Sequence, residues 1–404
     1  MILRILKYLL KTILIIIFLL LLLISVKYIS CPVYDFPAAR AFSGDTIFNP
    51  YESMDSLSWK KANFQVQSYA WSGLTSGRGN TNEAIYKVYK SLGYDIIATS
   101  DYQKINKFRE GDSSYIPVYE HGYGIFKNHQ VLLGANKVLW KDYPFFQTIH
   151  NKQHILQLLK KSNELVYIAH PKLRNGYSVE DMKVLSLYDG IEVLNNYRTS
   201  LEHWDAALSS GIYVTLLGND DAHDISNPNE IGHHCTFINS PTVNRGDIMA
   251  SLKLGNSFGA KIYRPDGESF EEKINRTKIL PVIKDVSIVQ DTIFVRIDST
   301  AWEIRFIGQE GKLSKAITNS NKALCFFSNS DTYIRIEIEF YDRTIYYLNP
   351  ISRSSGSLPN ARINPEINLY KTWVLRIVGS STIIFIVVNI FYFRKRHKSK
   401  LAGS

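Results

Sequence analysis

Gly218-Asn-Asp-Asp-Ala-His-Asp224 stands directly after an apolar run, Ile212-Tyr-Val-Thr-Leu-Leu217. A run of that length and composition reads as a buried strand. Asp221 and His223 sit two positions apart just beyond its end, where both side chains can reach one metal ion. A carboxylate oxygen with a neutral imidazole nitrogen is a ligand mix that suits Zn, Mn or Fe. A solvated loop could hold the same residues without an ion, so the motif needs support from elsewhere in the chain.

That support lies upstream, in a series of strand-like runs that each meet polar residues. Phe64-Gln-Val-Gln-Ser68 alternates and opens the series. Tyr94-Asp-Ile-Ile-Ala-Thr99 ends at Ser100-Asp101-Tyr102, and Tyr115-Ile-Pro-Val-Tyr119 ends at Glu120. Gln130-Val-Leu-Leu133 begins just after His129. Leu165-Val-Tyr-Ile-Ala169 ends at His170-Pro171, and Gly190-Ile-Glu-Val-Leu194 ends at Asn195-Asn196. Helical stretches fall between them, at 82–92 (capped by Asn80 or Thr81 and stopped by Gly93), 151–160, 201–209 and 247–254. Strands alternating with helices predict parallel pairing. Polar residues gathered at strand C-terminal ends are how an α/β barrel builds an active site. From about Val282 the period changes to short strands split by turn residues, such as Thr292-Ile-Phe-Val-Arg296 and Tyr333-Ile-Arg-Ile-Glu-Ile-Glu-Phe340. These predict a small antiparallel β domain of sandwich type.

The fold class is therefore α/β, a barrel followed by a small antiparallel β domain, flanked by apolar terminal helices. The expected boundaries are 1–30 for an N-terminal transmembrane anchor, 31–60 for a connecting segment, and 61–275 for the barrel. Residues 276–352 form the β domain, 353–370 a linker, 371–394 a transmembrane helix, and 395–404 a basic tail. The first apolar stretch, from Tyr8 to Ile29, lacks an A-x-A cleavage site and reads as an uncleaved anchor; a cleaved signal peptide is the rival reading. The second, from Ile377 to Phe393, is bordered by Trp373, Arg376 and Tyr392. Ser380, Ser381 and Asn389 leave it open to packing against another membrane protein, because polar groups in lipid seek partners.

The formal charge of +10 over 404 residues is concentrated at the tips. Arg4, Lys7 and Lys11 precede the first apolar run, and Arg394, Lys395, Arg396, Lys398 and Lys400 follow the last. Setting these eight aside leaves 39 basic against 37 acidic residues, with no basic face for a nucleic-acid backbone. Positive residues beside both spans place both termini in the cytoplasm and the main domain outside it, in a bacterial-type inner membrane, with membrane lipids as the expected neighbours. Cys31, Cys235 and Cys325 are too few for a disulfide framework. A Cys235–Cys325 bridge could form outside the cytoplasm, with buried free thiols the favoured reading.

Taken in order, Leu92-Gly-Tyr-Asp-Ile-Ile-Ala-Thr-Ser-Asp101, Ile116-Pro-Val-Tyr-Glu120, His129, Ile168-Ala-His-Pro171, Gly190-Ile-Glu-Val193 and Asn219-Asp-Asp-Ala-His-Asp224 form a recognisable pattern. Over about half the chain, from Asn63 to Asn256, it resembles the polymerase-and-histidinol-phosphatase (PHP) superfamily of metal-dependent phosphoesterases. The β tail makes it similar to the subgroup in which a small β domain follows the barrel. The resemblance implies a distorted (β/α)7 barrel with two or three metals at the strand ends, and phosphoester hydrolysis by a metal-activated water.

The departures are at the ligands. Where the family opens with His-x-His, this chain has Gln65-Val66-Gln67, and where the second strand normally ends Thr-Asp-His it has Ser100-Asp101-Tyr102. An amide is a weak ligand beside an imidazole. By resemblance, Glu120, His129 and His170 form one complete ligand set for a single Zn or Mn ion, and Asp221 and His223 survive from the others. Each has a plainer alternative. His129 could lie in a loop, Glu120 could form a surface pair with His121, and Asp220 could cap while Asp221 binds. His233 and His234 read as strand-entry residues. Two functions follow. In the first, a degenerate domain serves as a binding or scaffold subunit with reduced or no hydrolysis. In the second, a phosphoesterase works with one metal on an envelope phosphoester, with Asp221 or His223 acting on the water or the phosphate.

The charge pattern also generates a test of topology. A reporter that is active only in the cytoplasm should be active when fused after Ser404, and a reporter that needs the outside compartment should be silent there.

Overall fold

The computed structural model describes residues 2–71, 77, 79–356 and 358–402. Ser72 and Gly73, into which the run Phe64–Ser68 leads in the sequence, lie outside the described residues, as do the side chains of the basic tail from 393 onward. Long helices, Ile2–Ile29 and Leu369–Ala402, stand at the two ends. Within them, Arg4–Ile29 and Leu369–Tyr392 are long and apolar enough to cross a membrane, and their most apolar windows are not buried in the protein. They meet each other at Gly379, where a Cβ would lie 2.7 Å from the Ile29 side chain. A small residue at that point lets the two backbones approach.

The two helices leave the folded part side by side. Tyr34–Asp35 pairs antiparallel with Glu366–Ile367. Val33 N–H donates to Thr372 Oγ1 at 2.9 Å, Arg376 donates to the Ser30 carbonyl at 3.2 Å, and Lys371 pairs with Asp35 at 2.8 Å. The segment 31–60 also contributes Thr46–Phe48, which pairs with residues 352–354.

Two sheets make up the body. The smaller has the order Val118–His121, Gln130–Ala135, Asn163–Ile168, Gly190–Asn195, Thr215–Asn219. Its first two junctions are antiparallel and its last two parallel. The expectation of parallel pairing therefore fails at the first two. Only residues 122–129 separate the first pair, which is too short for a crossover helix and fixes a hairpin. The parallel part depends on Gly190, where a Cβ would sit 2.1 Å from the Tyr167 ring.

The larger sheet begins with Ile96–Ile97 and Trp59–Asn63, which are parallel. It continues antiparallel through His234–Asn239, Ser257–Lys261, Ile345–Ser354, Tyr333–Phe340, Thr292–Ile307 and Ile283–Val289. Leu313–Phe326 pairs alongside Thr292–Ile307. The single bridges Tyr102↔Glu120 and Val66↔Ala222 tie the two sheets together at both margins, so the strands curl around a common interior. Strand 345–354 pairs with 257–261 on one side and 333–340 on the other, so the hydrogen-bonded sheet runs unbroken into the C-terminal strands. The apolar core is continuous across the same line, from Ile85 and Leu92 through Phe258 to Ile304 and Ile336. All three cysteines are buried and unpaired.

A buried ion pair locks the C-terminal strands onto helix Leu201–Ser209. Arg335 Nε and Nη2 donate to the two oxygens of Asp205 at 2.7 and 2.8 Å, and Nη1 donates to Glu337 at 2.5 Å. Arg335 is 3% exposed. Removing one partner strands a buried charge, so Arg335→Ala should cost about 3–5 kcal/mol in chemical denaturation. In a double-mutant cycle, replacing Arg335 and Asp205 together should cost less than the sum of the single changes.

Candidate metal centre

Three adjacent strand ends build the site. Glu120 is on Val118–His121, and His129 immediately precedes Gln130–Ala135 in the same hairpin. The third strand pairs Ile168 with Gln130, and the Ala169 N–H donates to the His129 carbonyl at 3.1 Å, which delivers His170 beside His129. His129 Nδ1 is 2.5 Å and His170 Nε2 is 3.5 Å from Glu120 Oε1. One donor atom from each of the three residues lies within 4.8 Å of the others, and all three side chains are buried. The sequence reading chose the same three.

The donor set fits an ion. Two ligands of a tetrahedral ion with bonds of about 2.1 Å lie about 3.4 Å apart. The His170–Glu120 spacing already has that value, whereas His129 and Glu120 share a proton in a hydrogen bond that an ion would replace. His170 Nδ1, Asp221 Oδ1 and Gln67 Oε1 are buried without a hydrogen-bond partner. Such orphans are costly unless an ion, water or ligand meets them.

The charges are set by burial against proximity. Burial pushes Glu120 up, but the two imidazoles outweigh it and hold the carboxyl well below the usual carboxylate range. Burial pushes His170 down, yet the hydrogen bond to Glu120 and the charges of Asp221, Glu120 and Glu192 raise it to about 9. For His129 burial prevails over Glu120, and it is lowered. One carboxylate thus sustains one imidazolium, on the histidine that more acids surround.

Asp221 and His223 stand beside this trio, outside the group that can share one ion. Asp221 Oδ1 is 3.8 Å from His223 Nε2, and Asp221 Oδ2 accepts from Asn195 Nδ2 at 3.1 Å. Burial and the charge of Glu120 raise the Asp221 carboxyl. Both Asp221 (φ 49°) and His170 (φ 27°) have positive φ, an uncommon backbone for such residues that recurs at functional sites. Asp220 has the capping role, accepting from the N–H groups of Gly232, His233 and His234 and from Tyr89 Oη. His121 forms no surface pair with Glu120; it is buried and bonded to Gln130 at 2.6 Å and to the Lys141 carbonyl at 3.0 Å.

Gln65 and Gln67 are buried and Tyr102 is half-buried beside them. Gln67 Nε2 donates to Glu120 Oε2 at 2.8 Å and to the Ser100 carbonyl at 2.9 Å. Both neighbours are acceptors, so the amide can point only its NH2 at the carboxylate. Gln65 is buried with neither amide atom partnered. Asp101 is occupied by Ser68 and Asn106, and the Tyr102 ring stands edge-on to His129 at 5.4 Å. One further acid belongs here. Glu192 accepts from the His170 N–H at 3.1 Å, from Asn195 at 3.0 Å and from Asn219 at 2.9 Å, and burial raises it to about 8. Its signal in the sequence was an acid in a buried strand that ends at Asn195-Asn196.

No protein-family model and no curated protein matches the chain. Among solved structures, the chain is similar to a two-domain protein from Bacteroides vulgatus that contains a predicted PHP-like metal-dependent phosphoesterase. The match spans 78% of this chain and 100% of that one, at 12% identity and a TM-score of 0.37. At that identity and score it carries no weight for the site, which stands on its own geometry.

The geometry predicts that full-length protein in detergent, equilibrated with Zn or Mn and then desalted, keeps about one ion per chain by elemental analysis. Glu120→Gln, His129→Ala and His170→Ala should each lose most of it, while Asp221→Asn should keep more than any of the three.

Proposed function

We propose that the chain is a membrane-anchored, extracytoplasmic PHP-type protein. Its curled sheets form a distorted (β/α)7 barrel that binds one ion and a phosphate-bearing ligand with hydrolysis reduced or lost. The observation that carries this reading is the Gln67 amide, which directs its NH2 at Glu120 where the family has an imidazole. A donor in that place repels a second cation, and two-ion phosphoester chemistry needs one about 3.5–4 Å from the first. Glu120, His129 and His170 would hold the remaining ion, whose chemistry there is polarisation of a phosphoryl oxygen.

The surroundings favour a ligand of the membrane surface. The hairpin whose legs carry Glu120 and His129 reaches the last turn of the first helix, where Lys27 Nζ meets Tyr123 Oη at 2.6 Å. Tyr28 Oη meets the Phe146 carbonyl at 2.9 Å beside it. Ile125, Phe126, Trp140 and Phe146 are exposed around this contact, the composition of a lipid–water boundary. In this reading both termini are cytoplasmic and membrane lipids are direct neighbours. A second reading, a one-metal phosphoesterase, draws on Asp221, whose unpartnered oxygen and positive φ place a carboxylate ready to take a proton from water.

Hydrolysis of an aryl phosphate separates the two. The metal-loaded wild type should show little or no turnover, and Gln65→His, Gln67→His and Tyr102→His together should raise the bound metal above one ion per chain. Chelator-sensitive turnover by the unaltered protein, lost in Asp221→Asn, would sink the first reading and establish the second.

A further inference from the structure

A cleft of about 540 Å³ opens beside the candidate centre, where the loop Asn195–Thr199 faces the larger sheet. Its floor is one cross-strand row. His234 pairs with Lys261, Lys261 with Ile345, and Ile345 with Glu339, so these residues line up across four neighbouring strands. Arg198, Arg264 and Arg343 complete the walls.

Among the described residues, none of Arg198, Lys261, Arg264 and Arg343 is in an ion pair. Arg198 donates only to the Tyr197 carbonyl and Arg264 to the Asn229 carbonyl. The single acid on the floor, Glu339, is already taken by Arg305 at 3.0 Å. Four cations in a concavity repel one another and focus a positive potential that an anion relieves. His234 lines the cleft at 7% exposure with Nδ1 unpartnered; burial and the charges of Lys261 and Arg264 lower it to about 3, so it offers a neutral ring rather than a further charge. The wall is shared with the centre, because Asn195 Nδ2 bonds Asp221 and Glu192, and the Tyr197 ring lies 6.0 Å from that of His223.

We propose that this cleft is an anion subsite for a phosphate or diphosphate group of the ligand. The ligand's other end meets the Glu120 centre; that last clause alone rests on the function proposed above. The ligand class is then a molecule with two anionic groups or a diphosphate ester. Guanidinium groups supply paired donors to such oxygens, and Lys261 supplies a point charge.

Inorganic diphosphate is the probe, titrated by calorimetry into full-length, chelator-treated protein in a neutral detergent. With no ion bound, a failure of the metal reading cannot imitate a failure of the cleft. Saturable binding that weakens with added salt is expected. Among the described residues, Lys261 and Arg343 make no side-chain hydrogen bond, so Lys261→Ala with Arg343→Ala should leave the melting temperature unchanged and weaken binding by about tenfold or more. Lys261→Arg with Arg343→Lys should restore most of it, and His170→Ala should leave it intact. A wild type without saturable binding, or a double alanine variant that binds equally well, would overturn the proposal. Geranyl diphosphate in the same micelles identifies the source. Tighter binding than inorganic diphosphate points to a lipid-linked group, and equal binding points to a soluble one.

Discussion

A carboxylate taken fully out of water must be surrounded by donors, and Glu120 is the point where this chain meets that requirement. One oxygen faces His129 and His170 and the other faces Gln67. Those partners lie just before the hairpin leg Gln130–Ala135, just after strand Asn163–Ile168, and in the segment that follows Trp59–Asn63. The backbone bridge from Tyr102 to Glu120 joins the two sheets at the same residue. One end of the curled sheets therefore closes around this buried carboxylate. The amide at position 67 meets that requirement by giving a proton to the carboxylate, and it presents a donor rather than a lone pair on that side of Glu120.

Much of this was legible in the sequence because the site residues punctuate apolar runs. Glu120, His129 and His170 each stand at the edge of a buried strand, and that placement survived the error in pairing direction. At the first junction the error came from reading alternation without loop length, since 122–129 has no room for a helix; at the second, residues 136–162 include helix Ile149–Leu159 and the strands still pair antiparallel, so alternation alone does not give direction. Helices Val179–Val184 and Phe270–Thr277 were missed because they are short and largely polar; their capping boxes, Ser178 with Asp181 and Ser269 with Glu272, were the available signals. The first half of Leu313–Phe326 was unreadable, because its side chains are almost all exposed and no hydrophobic alternation marks it. His233 and His234 read as strand-entry residues from composition, and only the register across four strands shows what they stand beside.

The C-terminal strands have a second office in this arrangement. Because strand 345–354 continues the sheet of 257–261, the outer strands supply one wall of a cleft whose other wall is a barrel loop. The Arg335–Asp205 pair fixes the same relationship on the far side, through a helix that follows the Asn195–Thr199 loop. Rigid attachment at both places keeps the cleft walls at a constant separation, which is what preorganisation of a charged site requires.

The junction of Tyr34–Asp35 with Glu366–Ile367, and of Thr46–Phe48 with Ser352–Ser354, sets a condition on biosynthesis. These strand partners are separated by about three hundred residues of chain. The N-terminal strands emerge early and wait, unpaired, until nearly the whole polypeptide has been made. Loop closure of that length delays their docking. A chain that stops short of residue 352 leaves both edges open. Completion of the fold is thus tied to arrival of the second helix, and an interrupted product carries the exposed strand edges that quality-control proteases and chaperones act on.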